Sequence, residues 1–278
     1  MSYYAALLIF FTALGAAAAL FLFFYQLYKK RELQKILNTP FKEEYRVYLR
    51  KTPYYNRLPK EKQQEIEKSI TLFMATKEFM GVGVEMRDEI KLIIAFYACL
   101  LVLYQDRTNC YENLKTVIVY PSAVAYENLQ QSGGIYTKER FLIDGQAAND
   151  TVVIIWHDAK KEAYHLRHNN VIVHEFAHEI DFMDGEIDGV PPLERSKYDS
   201  WTRILYRDYK KLRKVALKNR EWGKYKLLGS YAATNEAEFF AVVTERFFES
   251  PQTLYRHFPE LYNELKEFYK IDTRRLLA

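Results

Sequence analysis

The sequence predicts a mainly helical α+β domain with a small mixed sheet, preceded by one transmembrane helix. Three observations carry that expectation. No charged side chain occurs from Ser2 to Tyr28. Hydrophobic periodicity is helical from about Leu58 to Tyr104 and again after about His168. Between these stretches, from Leu114, it gives way to short β-branched and aromatic runs bounded by Pro, Gly and Asp. Helices, then strands, then helices is the order of an α+β domain.

The uncharged stretch over 3–28 exceeds the roughly 20 residues that cross a bilayer core, and it is longer than the apolar part of a signal peptide. It also lacks the positive leader that a signal peptide carries. Lys29, Lys30 and Arg31 follow directly. The positive-inside rule therefore predicts a single-pass membrane protein with everything after the helix in the cytoplasm. Residues 29–57 are charged and Tyr-rich, with Pro40 and Pro53 interrupting, and read as a juxtamembrane connector. A domain over 58–278 follows, opening with helices over Leu58 to Phe79 and Arg87 to Tyr104. Strands are expected in KTVIVYP, GIYTKERFLIDG and DTVVIIWHD, and further helices near 195–217, 235–249 and 256–269.

Composition narrows the function. A chain of 278 residues, 49% hydrophobic and 16% aromatic, buries a sizeable core and is not disordered. Its formal charge of +4 is too small for its length to predict direct nucleic-acid binding. Two cysteines, Cys99 in an apolar run and Cys110 in a polar one, imply no disulfide framework and fit a reducing compartment.

Chemistry concentrates in NNVIVHEFAHEIDFMDG, which contains HExxH at His174, Glu175 and His178. Residues four apart lie on one helical face, so both imidazoles can reach one metal ion while Glu175 stands beside them as a base. A catalytic zinc site needs a third protein ligand. Glu238, in GSYAATNEAEFFAVVTERFF, is the best candidate, although three residues after Asn235 it can instead complete a capping box. Glu236 is a rival, pointing to nearly the opposite side of the same helix. Asp181, three after His178, can orient a ligand imidazole, bind the metal itself or simply end the helix. His157, His165, His168 and His257 have no spacing that competes.

HEFAHEIDFMDG together with GSYAATNEAEFFAV resembles the Mlc titration factor A family of zinc peptidases, whose catalytic core is similar to that of anthrax lethal factor. The likeness runs from about Leu58 to Tyr269 and includes DGVPP at Asp188 to Pro192, but not the N-terminal helix. It implies a zincin-like metallopeptidase domain with Zn2+ on His174, His178 and Glu238, Glu175 as general base, and Tyr231 hydrogen-bonding the developing oxyanion. Thermolysin-like enzymes place a supporting Asp four after the third-ligand Glu, where this chain has Val242. The expected substrate is a peptide or protein. The alternative is a binding protein that sequesters a transcriptional regulator at the membrane, with catalysis secondary. The basic stretch YKKLRKVALKNREWGKYK from Tyr209 to Lys226 reads as a solvated helix face that can also lean on anionic lipid.

Overall fold

A computed structural model describes residues 3–105, 111–122, 150–166, 169–218 and 223–277. Helix α1 spans Tyr3–Leu37, past the Tyr28 boundary that composition suggested. The basic cluster ends the apolar run without ending the helix. The residues after it, ELQKIL, are good helix formers, and Lys35 pairs with Glu32 at 2.7 Å. Phe10–Leu37 is long and apolar enough to cross a bilayer, and its Phe10, Phe11, Phe21 and Phe24 rings are exposed. The chain divides into two units, Met1–Phe41 and Lys42–Ala278.

The second unit opens with α2 (Glu43–Leu49) and a 3-10 turn at Tyr55–Arg57. Residues 42–57, expected within a connector, therefore pack as part of this unit. Leu49, Tyr54 and Tyr55 are buried. Arg46 grips the buried Glu67 with two hydrogen bonds at 2.7 and 2.9 Å, and the Tyr54 hydroxyl donates to the carbonyl of Phe248. Aromatic side chains among charged neighbours look like surface in the sequence, but each of these is claimed by a distant partner.

Helix α3 (Lys60–Thr76) buries Ile66, Ile70 and Phe73 along one stripe. Strand β1 (Glu78–Gly81) follows at once, where the helical pattern was expected to continue to Phe79. Lys77 ends the helix, its ammonium donating to the carbonyls of Tyr111 and Leu114 at 2.6 and 2.8 Å. Helix α4 (Asp88–Val102) is buried along nearly its whole length and packs against α2 and α3.

Strands β2 (Thr116–Tyr120) and β3 (Thr151–Ile155) complete a sheet in the order β1-β2-β3. Both pairings are parallel, with Glu78 opposite Thr116 and Thr116 opposite Thr151. Among the described residues the sheet is thus parallel rather than mixed. β1 reaches β2 by way of α4, and a helical crossover returns the chain in the same direction. The strand expected at 134–145 lies outside the described residues. Val117, Val119, Val152 and Ile154 point into the core, as alternation requires.

Helix α5 (Trp156–Ala163) leads to α6 (Val171–Asp181), which packs against β3, α4 and α5. Phe176 on α6 meets Phe73 and Tyr111 with ring centroids 5.8 and 5.1 Å apart. Helix α7 (Tyr198–Ala216), α8 (Glu236–Glu249), α9 (Pro251–His257), α10 (Pro259–Tyr269) and α11 (Thr273–Leu276) complete the unit. α8 is buried along most of its length and packs against α6.

Candidate metal centre

Two helices supply the polar side chains, and capping fixes where each begins. Asn170 caps α6, its Oδ1 accepting from the Val173 amide at 3.2 Å. Asn235 caps α8 in the same manner through the Glu238 amide at 2.8 Å. The bland capping reading of Glu238 is half right. Its backbone serves the cap, while its carboxylate turns to the histidines.

His174 Nε2 lies 3.0 Å from Glu238 Oε2 and 3.2 Å from His178 Nε2, and His178 Nε2 lies 3.6 Å from the same Glu238 oxygen. The three atoms form a triangle that can hold a metal ion. Its size is chemically apt: bonds of about 2.0–2.1 Å around a tetrahedral ion separate neighbouring ligand atoms by about 3.3 Å.

The other imidazole nitrogen of His174 decides which atom faces that point. Nδ1 donates to Glu245 Oε1 at 2.7 Å, leaving Nε2 turned towards Glu238 and His178. Glu245 is held in turn, its Oε2 accepting from the Asn170 amide at 3.0 Å, and Asn170 Nδ2 donates to Glu249 at 3.0 Å. One buried carboxylate thus ties the start of α6 to its first histidine. Burial works against the charged form of His174, yet the hydrogen bonds to Glu238 and Glu245 outweigh it and hold its pKa up at about 10. Burial likewise pushes the Glu238 carboxyl up, but hydrogen bonds to His174 and His178 carry it below the usual carboxylate range. Two carboxylates around one imidazole make a site that attracts positive charge.

Glu175 follows His174 on α6, half-buried, and its charge acts on that imidazole. Tyr231, in a 3-10 turn at Tyr231–Ala233, is 45% exposed with its ring centroid 5.9 Å from that of His174. Asp181 orients no imidazole in this arrangement. Its Oδ2 accepts from the Gly189 amide at 2.8 Å, and its Oδ1 is buried with no hydrogen bond from the described residues. That bond anchors the DGVPP loop against the start of α8, where Gly189 takes φ +80° and a Cβ would lie 2.6 Å from the Glu236 carbonyl oxygen. Nothing in the sequence pattern singled out Glu245, although it stands two helical turns beyond Glu238 on the same face. His157 sits on α5 rather than at a strand end, 2.6 Å from the Lys161 ammonium, and His168 lies outside the described residues.

Residues 26–270 match the model of a family described as glucose-regulated metallo-peptidase M90. The chain belongs to that family. Its relatives include an uncharacterized protein of Synechocystis, 34% identical over 79% of this chain and 80% of its own length. Mlc titration factor A of Serratia proteamaculans is 27% identical over 68% and 72%, and that of Yersinia pestis is 29% identical over 56% and 58%. The likeness to Mlc titration factor A is thereby borne out. An M90 metallo-peptidase implies a metal, and among the described residues His174, His178 and Glu238 are the group able to hold one. The family match starts well before Leu58, in keeping with the packing of residues 42–57 into the second unit.

Proposed function

We propose that the chain is a zinc-dependent peptidase anchored in a membrane by α1, with its second unit in the cytoplasm and a peptide or protein as substrate. His174 Nε2, His178 Nε2 and Glu238 Oε2 hold the ion, and their mutual distances of 3.0, 3.2 and 3.6 Å carry the proposal. Zinc bound there supplies a water of lowered pKa and polarises the scissile carbonyl. Glu175 accepts the proton of the attacking water and passes it to the leaving amine. The Tyr231 hydroxyl donates a hydrogen bond to the oxyanion as charge develops. Glu245 acts through His174, fixing its tautomer and ring orientation. β3 is one of the two outer strands among the described residues and the one that packs beside α6, so a substrate backbone can add along it. The zincin-like expectation rests on this same set of residues.

The anchor is supported by the length and composition of Phe10–Leu37 and by its exposed phenylalanines, and the orientation by Lys29, Lys30 and Arg31. Replacing Glu175→Gln is expected to leave zinc bound and abolish peptide hydrolysis. Undiminished turnover by that variant would overturn the assignment.

A second reading rests on the relatives' name, Mlc titration factor A. It makes the chain a binding protein that captures a transcriptional regulator at the membrane. Equal rescue of a deletion phenotype by wild type and Glu175→Gln would favour capture over catalysis.

A further inference from the structure

The metal centre leaves one prominent surface unused. From Arg203 onward, α7 and the turn after it expose Arg203, Lys210, Lys211, Arg213, Lys214 and Lys218. At about 100° per residue these six fall on one side of the helix, opposite the buried Trp201, Leu205, Asp208 and Leu212. None of the six forms an ion pair among the described residues. On the flank, half-buried Arg207 takes up Asp208 and Glu260. Two further side chains share the cationic side. Tyr206 is 41% exposed, with the Lys210 ammonium 4.6 Å from its ring centroid, and Leu217 is 78% exposed.

We propose that this face docks on an anionic lipid surface, with the six cations on phosphate head groups and Leu217 and Tyr206 entering the boundary between head groups and acyl chains. Six cations on one side of an amphipathic helix are the composition that anionic head groups attract, and the leucine and tyrosine among them add apolar area at the interface. A nucleic acid offers the cations the same phosphates but gives an exposed leucine nothing to enter. The inference rests on the anchoring proposed for α1, which keeps the second unit at high effective concentration beside the leaflet. Docking would also bring Glu236 and the start of α8 near the membrane, since the Glu236 carboxylate acts on the Tyr206 hydroxyl and raises its pKa, and would favour substrates presented at the lipid surface.

The test uses the full chain in lipid nanodiscs, either phosphatidylcholine alone or phosphatidylcholine mixed with phosphatidylglycerol. The rate of lysine acetylation is read residue by residue by mass spectrometry. In the anionic discs Lys210, Lys211, Lys214 and Lys218 should react more slowly by roughly tenfold, because each cation near the surface adds to the bound population. Lys60 and Lys115 should be unaffected. Protection should vanish when salt shortens the screening length to about 3 Å, and should weaken in Arg203→Glu/Arg213→Glu, whose changes touch only exposed positions. Equal acetylation in the two discs overturns the proposal, as does protection by duplex DNA with none by lipid. Failure of the chain to enter either disc removes the anchor, and the docking with it, whereas entry without protection removes the docking alone.

Discussion

Glu245→Gln isolates the contact on which the geometry of the candidate metal centre turns. The wild-type carboxylate accepts from His174 Nδ1 at 2.7 Å and from the Asn170 amide at 3.0 Å. A glutamine keeps the shape but presents one oxygen and one amide N–H where two acceptors stood. If the oxygen stays on Asn170, the N–H faces Nδ1 and drives the imidazole proton to Nε2, the atom proposed to bind zinc. Loss of such a supporting partner typically costs 10–100-fold in metal affinity, or about 1.4–2.7 kcal/mol. If the oxygen stays on His174 instead, the buried Asn170 amide loses its acceptor, and folding stability falls by about 1–3 kcal/mol. Zinc titration against a competing chelator reads the first outcome, and thermal unfolding with and without zinc reads the second. Asp181→Asn is the control, because that carboxylate bonds Gly189 and not an imidazole. A Glu245→Gln protein with wild-type stability and wild-type zinc affinity would refute the reasoning.

Two further outcomes follow from the loop at the start of α8. Burial, together with the charges of Asp188 and Asp184, pushes the Asp181 carboxyl from 3.8 up to about 7 despite the bond from Gly189. Between those values the folded protein keeps a proton that the unfolded chain has released. Stability of the metal-free protein should therefore fall as pH rises through that window and level off above it, by at most about 4 kcal/mol. Urea midpoints across pH for wild type and Asp181→Asn check this: the asparagine protein should lack that component, and a wild type that gains stability relative to it on going from acid to neutral would contradict the assignment. Gly189→Ala forces a Cβ to 2.6 Å from the Glu236 carbonyl oxygen at φ +80°. It should cost about 1–3 kcal/mol, seen as a lowered Tm and weaker zinc binding, and an unchanged Tm would show that the loop shifts freely.

What could be read from the chain alone follows the range of the interactions. His174, Glu175 and His178 are legible because their spacing is local and helical, and Glu238 because a cap residue and an apolar run mark the start of its helix. Glu245 is not, since its role comes from a contact 71 residues away. The position four after Glu238 is Val242, which is buried, and the supporting carboxylate comes one turn later. Asp181 shares a helical face with the histidines, yet the amide of Gly189 claims it, a tertiary contact that spacing does not encode. β1 escaped notice because four residues at a helix end carry no period of their own, and pairing with β2 makes them a strand. The tyrosines of residues 42–57 looked like connector because nothing nearby in sequence buries them.

The bond from Tyr54 to Phe248 bears on where the chain can be cut without loosening the site. Tyr54 fastens the far end of the helix that carries Glu238, and its ring also packs edge-on to Tyr97 and Phe248. Cleavage between Leu37 and Glu43, ahead of α2, would leave that clamp in place. A cut downstream of Tyr54 would strip a clamp from α8 and loosen the site in the act of freeing it.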